Sequence, residues 1–305
     1  MRRFHAGVDR LYVAVMRHVI PPLFRDGSSS PLLEDHLAAV ELQVPALAGD
    51  GRYKVTARTI VGDVSAGFRV RLGPRAACPV LIYHHGLGEI PAGRNIGWIL
   101  PRRRPLEAHL VAVRAPFHRH HIDCLRGLAS LGRFVAMCAV SVTLIEALRA
   151  TFVARGAEGS LVAGTSLGGF VSLLHHLSFG TADRYAPLLA GPDLACSLLS
   201  TPFQHFTARK ARAQPAQVLA CLDFSEAFRA SDARRVSPLL ARHDVCMPYA
   251  RHDATYAASG AEVATIDRGH MTGAVALAAL RAHLLGCLGA LAAREPAGGS
   301  VCQPA

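Results

Sequence analysis

The run Gly164-Thr165-Ser166-Leu167-Gly168-Gly169 restricts what this chain can fold into more than any other segment. It follows the apolar run Leu161-Val162-Ala163 and opens an apolar helical stretch over residues 167–177. A strand that turns into a helix within one residue brings two backbones into contact, and glycines two positions either side of Ser166 supply the clearance. The same sharp bend holds the serine hydroxyl outward, where neighbouring loops can reach it. The segment therefore predicts a buried strand, an exposed serine and a helix folded back on the sheet.

The remainder repeats that rhythm. Alternating β-branched residues predict opening strands at 40–44, 53–61 and 68–72, after an amphipathic stretch at 12–24. Residues 79–83 read as a buried strand feeding the loop His84-His85-Gly86-Leu87-Gly88, and 110–113 as another strand. A long helical pattern spans 128–152, further short strands are expected at 187–190, 238–241 and 262–266, and a helix at 274–285 closes the series. Strands alternating with helices imply a largely parallel sheet in an α/β fold. A single domain over 1–305 is expected, with 196–236, where the rhythm breaks around Phe203, Phe206, Phe224 and Phe228, forming a small helical cap. The tail 295–305 is expected to be disordered.

Composition supports a large core, since 51% of residues are apolar and only 18% charged. The formal charge of +11 is spread as scattered arginines, with Lys54 and Lys210 the only lysines. No polybasic tract with interleaved aromatics occurs, so no nucleic-acid partner is expected. Arg102, Arg103 and Arg104 lie between two prolines and read as a solvated loop. The basic charge and the N-terminal amphipathic stretch leave peripheral contact with a lipid surface open. The apolar stretches 134–145 and 273–280 are each ended by a charge before bilayer-spanning length, so no transmembrane helix is expected. The eight cysteines contain no Cys-x-x-Cys pair and several lie in apolar runs, which reads as buried thiols in a reducing compartment. With no secretory signal pattern at the start, the expected location is cytoplasmic.

A serine hydroxyl is a weak nucleophile until a base takes its proton, and attack on a carbonyl creates an oxyanion that needs preset N–H donors. Ser166 is the candidate nucleophile. The backbone N–H of Leu167 is one candidate donor, and Leu87 or Gly86 in the earlier loop is the other. His270, in a Gly-His loop after the last expected strand, is the candidate base, free to swing. The acid that orients it is best placed at Asp244, one α/β unit earlier, with Asp193 and Asp253 as alternatives. Asp267 stands too near His270 in sequence and is expected to pair locally. The cluster His118-Arg119-His120-His121 raises a metal site, but adjacent histidines on one loop rarely converge on one ion and no thiol or carboxylate set completes it.

From about residue 80 to 285 the chain resembles the α/β-hydrolase superfamily, serine esterases and acyl-peptidase-like members in particular. His85-Gly86 stands as its oxyanion loop, Gly164 to Gly169 as its elbow, and Arg114-Ala115-Pro116-Phe117-His118 as the turn after its fourth strand. The resemblance implies a mostly parallel sheet of about eight strands with helices on both faces, a Ser166–Asp244–His270 triad and no cofactor. It also implies hydrolysis of a small ester-like substrate through an acyl-enzyme, and the apolar composition of the expected cap favours a hydrophobic acyl or alcohol group on that substrate. Acyl transfer to another acceptor with the same triad, or a non-catalytic binding role, are the alternatives that the sequence leaves open.

Overall fold

In the computed structural model, which describes residues 2–293, the backbone lays every strand into one twisted sheet. Helices α1 (Arg2–Met16) and α2 (Leu33–Ala38) come first, followed by β1 (Glu41–Leu42), β2 (Gly51–Arg58), β3 (Val64–Arg71) and β4 (Val80–His84). Next are α3 (Arg94–Ile99), β5 (His109–Arg114), α4 (His121–Gly127), α5 (Leu131–Ala154), β6 (Ser160–Thr165), α6 (Leu167–Ser178) and β7 (Arg184–Leu188). Four short helices follow, α7 (Leu194–Ser200), α8 (Arg209–Ala213), α9 (Pro215–Leu222) and α10 (Ser225–Arg229). The chain then closes with β8 (Leu239–Ala241), α11 (Tyr249–Ala258), β9 (Ala264–Ile266), α12 (His270–Ala274) and α13 (Leu277–Ala292).

The strand order is β1-β2-β3-β5-β4-β6-β7-β8-β9. The first three strands are antiparallel and the remaining six run parallel, nine strands where about eight were expected. Parallel strands are buried on both faces, which is why β4 and β6 read as continuous apolar runs. Along β4 the pleat sends Val80 and Ile82 into a core shared with α5 and α6, and Leu81 and Tyr83 into a second core shared with α3 and α13. Register does the rest. Pairing of Val80 with Ser160 carries through to His84 opposite Gly164, so the loop after β4 emerges beside the turn after β6.

Several boundaries differ from those read in the sequence. The first helix occupies residues 2–16 rather than 12–24, because the prolines at 21 and 22 cannot continue a helix. The 40–44 strand shrinks to two residues at the sheet edge. The closing helix divides into α12 and α13. Residues 196–236 form short helices, with Leu198, Phe206, Val218 and Phe228 buried in the same core as the strands. The tail 295–305 lies outside the described residues.

Helix α5 is long and apolar enough, by length and composition, to cross a membrane, although the sequence runs suggested otherwise. It is apolar on nearly all sides because it is buried on nearly all sides, 72% within that window. Phe134 on this helix is 1% exposed and meets Phe24 edge-on at 5.7 Å. Phe134→Ala is expected to cost about 3–5 kcal/mol, read as a lowered midpoint in urea unfolding with unchanged slope.

Candidate active site

The turn between β6 and α6 is one residue long. Ser166 sits there at φ 55° and ψ −115°, a region that side-chain-bearing residues seldom occupy. Clearance is minimal. A Cβ on Gly164 would lie 2.3 Å from the carbonyl carbon of Gly168, and one on Gly168 would lie 2.1 Å from the carbonyl oxygen of His84. Only hydrogen fits at either position, so helix, strand and adjacent loop close on one another with Ser166 held at the apex.

Three side chains from three distant loops meet at that apex. Ser166 Oγ lies 3.0 Å from Nε2 of His270, and Nδ1 of His270 lies 2.7 Å from Oδ2 of Asp244. Asp244 follows β8 and is itself oriented, its Oδ1 accepting the N–H groups of Cys246 at 2.8 Å and Met247 at 2.7 Å. Asp244 accepts a hydrogen bond from Nδ1–H, which fixes the proton on Nδ1 and leaves the lone pair of Nε2 facing the serine. Burial disfavours the charged imidazole of His270, but the Asp244 charge and hydrogen bond, aided by Asp9, outweigh it and raise its pKa.

Asp193 and Asp253 stand elsewhere. Asp193 caps α7 and pairs with Arg251, while Asp253 lies on α11. Asp267 does not pair within its own loop but faces Arg242 after β8 at 3.6 Å.

His270 does not lie on a free loop. It is the first residue of α12, 4% exposed, and its main chain is held by a residue that the sequence reading missed. Asp9, on α1 and fully buried, accepts the N–H of His270 at 2.8 Å and of Met271 at 2.9 Å, with that of Val245 at 3.4 Å. One carboxylate thus touches both the loop of His270 and the loop of Asp244. His5, one turn earlier, reaches Thr272 Oγ1 at 3.0 Å. An His-x-x-x-Asp spacing on a helix carries no signal of this, because its partners lie 236 to 262 residues away.

The loop after β4 also departs from expectation. Gly86 N–H donates to the buried Glu89 at 3.2 Å, so of the two expected donors in this loop it is the one already paired. Leu167 opens α6, where a backbone N–H has no partner within the helix. His84 stacks on His85 with ring centroids 4.7 Å apart, and His118 packs against His85 at a tilt of 48° with centroids 4.5 Å apart. Burial pushes the pKa of all three down, to about 3 for His84, so they are neutral. His85 donates from Nδ1 to the Gly86 carbonyl at 2.8 Å and accepts the Ala115 N–H at 3.1 Å, clasping this loop to the turn after β5. His118 is therefore packed inside rather than solvated, and His120 caps α4.

Among the described residues, Asp9, Asp244 and Cys246 are the one set close enough to share an ion, within 4.8 Å. Every carboxylate oxygen in it already accepts from an N–H group or the imidazole, so the set is poorly suited to hold one.

No protein-family model matches the sequence, and no curated protein matches it. Solved structures do. The chain is similar to an acetyl xylan esterase from Paenibacillus sp. R4, with a TM-score of 0.55 and 14% identity over 82% of this chain and 87% of that one. It is similar to an acylaminoacyl peptidase from Pyrococcus horikoshii, TM-score 0.54 and 12% identity, covering 84% of this chain but only 44% of the peptidase. A further acetyl xylan esterase, from Thermoanaerobacterium sp. JW/SL YS485, gives 0.50 and 14% over 80% of this chain and 90% of that one. The fold is that of the α/β-hydrolases.

The electrostatics of His270 give a direct test. In an imidazole NMR titration, His270 is expected to titrate above the ordinary value of 6.5, and Asp244→Asn should bring it below the wild-type value. A folded state that binds this proton more tightly than the unfolded chain gains stability below about pH 6.5 and loses that gain as pH rises through the raised pKa.

Proposed function

We propose that this protein is a serine hydrolase that cleaves a carboxylic ester or related acyl bond. The observation that carries the reading is the hydrogen-bonded chain from Ser166 Oγ through His270 to Asp244 at the apex of the elbow. In this mechanism His270 Nε2 takes the proton of Ser166 as Oγ attacks the substrate carbonyl carbon. Asp244 holds the Nδ1 proton in place and stabilises the imidazolium that forms. The carbonyl oxygen gains negative charge and is met by the N–H groups of Leu167 and Leu87. When the tetrahedral adduct collapses, His270 returns the proton to the departing alcohol and the acyl group remains on Ser166. Water, deprotonated by the same imidazole, then releases the acid.

Phe203 stands edge-on to the His270 ring at 5.7 Å, from the helical excursion between β7 and β8. An aromatic wall beside the reacting centre favours an apolar acyl or alcohol group, and it gives residues 196–236 the role of a cap. The esterases among the structural neighbours agree with a small-molecule ester as substrate.

A fluorophosphonate probe is expected to label the wild type and leave Ser166→Ala unlabelled; equal labelling of both would remove the proposal. In a series of aryl esters, butyrate and longer chains should outrun acetate, and Phe203→Ala should shrink that preference. The acid limb of kcat/KM should follow the raised His270 pKa, because only the neutral imidazole can act as base, and it should move to lower pH in Asp244→Asn.

A further inference from the structure

Helix α1 has two faces with different assignments. The inner face carries His5, Asp9 and Val13, all buried, and its carboxylate holds the His270 loop. The outer face is apolar and uncovered. Phe4, Leu11 and Val15 are 66%, 64% and 53% exposed, and Val19, just past the helix end, is 67% exposed. At 3.6 residues per turn the first three fall within about 40° of one another, and Leu11 lies about 160° around the helix from Asp9. Arg3, Arg10 and Arg17, spaced by seven, form a row along one flank, about 120° around the helix from the stripe, and Arg2 lies at the helix start. All four are exposed, and the single carboxylate on the helix, Asp9, points inward.

An exposed apolar stripe with an arginine row on one flank of the same helix, and no outward carboxylate on that helix, has a specific chemical complement. Its apolar side chains gain by leaving water, and its guanidinium groups gain by meeting phosphate oxygens. We propose that α1 docks this protein on an anionic lipid surface, with the Phe4-Leu11-Val15 stripe entering the headgroup boundary and the arginine row on the phosphates. A second copy of the chain packed antiparallel through this stripe fits less well, because that two-fold contact would also bring the arginine rows, of like charge, to the same side.

The docked orientation bears on the site. Asp9 on the opposite side of the same helix is 2.8 Å from the His270 backbone. The lipid boundary would therefore lie about one helix diameter, roughly 10 Å, from the base. On the reading of Ser166 and His270 as a hydrolytic pair, the acyl substrate is one presented at a membrane surface.

The test is cosedimentation of the full chain with vesicles of phosphatidylcholine alone and of equal parts phosphatidylcholine and phosphatidylglycerol. Partitioning onto the anionic vesicles is expected to be at least about tenfold stronger, since each arginine near such a surface contributes about 1 kcal/mol. It should fall with added salt. Leu11→Glu/Val15→Glu should lose binding while keeping the wild-type melting temperature and the turnover of a soluble aryl ester. Arg3→Gln/Arg10→Gln/Arg17→Gln should fall to the level seen on phosphatidylcholine. Failure of the wild type to bind anionic vesicles, or undiminished binding by the glutamate variant, overturns the proposal. So does a wild-type dimer in sedimentation velocity that the glutamate variant dissolves, without vesicle binding. Ser166→Ala should bind like the wild type. Binding by a wild type that neither takes up the fluorophosphonate nor turns over any ester would refute the hydrolytic reading and leave the docking surface standing.

Discussion

The structure depends on the crossing of β6, α6 and the loop after β4, where backbone meets backbone with no side chain between. Gly168 against the His84 carbonyl and Gly164 against Gly168 bring three segments closer than any alanine would permit. That closeness leaves Ser166 in a left-handed conformation, a strain of the order of 1–3 kcal/mol. The core offsets it. Strands β4 and β6 are buried along their whole length, and the helices on both faces hold the bend shut.

Around this point the protein arranges polar groups in a dry interior, which is costly unless each has a partner. The arrangement divides by charge. His84, His85 and His118 pack ring against ring, are neutral and are tied to carbonyl and N–H groups, so they brace the loop after β4 without adding charge near the serine. His270 alone is poised to accept a proton, because Asp244 and Asp9 stand beside it. Imidazoles in one molecule thus serve opposite ends: burial dominates at His84, His85 and His118, whereas the Asp244 charge and hydrogen bond outweigh it at His270.

The N-terminal helix joins this arrangement from outside the sheet. By placing Asp9 on the N–H groups of His270, Met271 and Val245, α1 links the two loops whose relative position sets the imidazole. An element that looks peripheral in the element order therefore sits at the mechanical centre, and its exposed face is the one available for a surface outside the molecule.

How much of this was legible follows from the range over which each interaction acts. The elbow, the alternation of strands and helices and the α/β class were readable because glycine spacing and apolar periodicity are local properties of the chain. The nucleophile candidate Ser166 came from the same local pattern. Which carboxylate meets His270 was not local, since Asp244 and Asp193 both follow strand ends, and only the lateral order of β7, β8 and β9 puts one of them in reach. Gly86 and Leu87 were equal as donors until Glu89 was seen to occupy the first of them. Asp9 left no trace in the sequence, because a buried carboxylate is distinguished from a surface one by what lies over it, and here that is chain more than 230 residues away. The sequence by itself determined the bend and the class of fold; the packing of the sheet decided which side chains share it, since hydrogen bonds between distant loops exist only once the strands have chosen their neighbours.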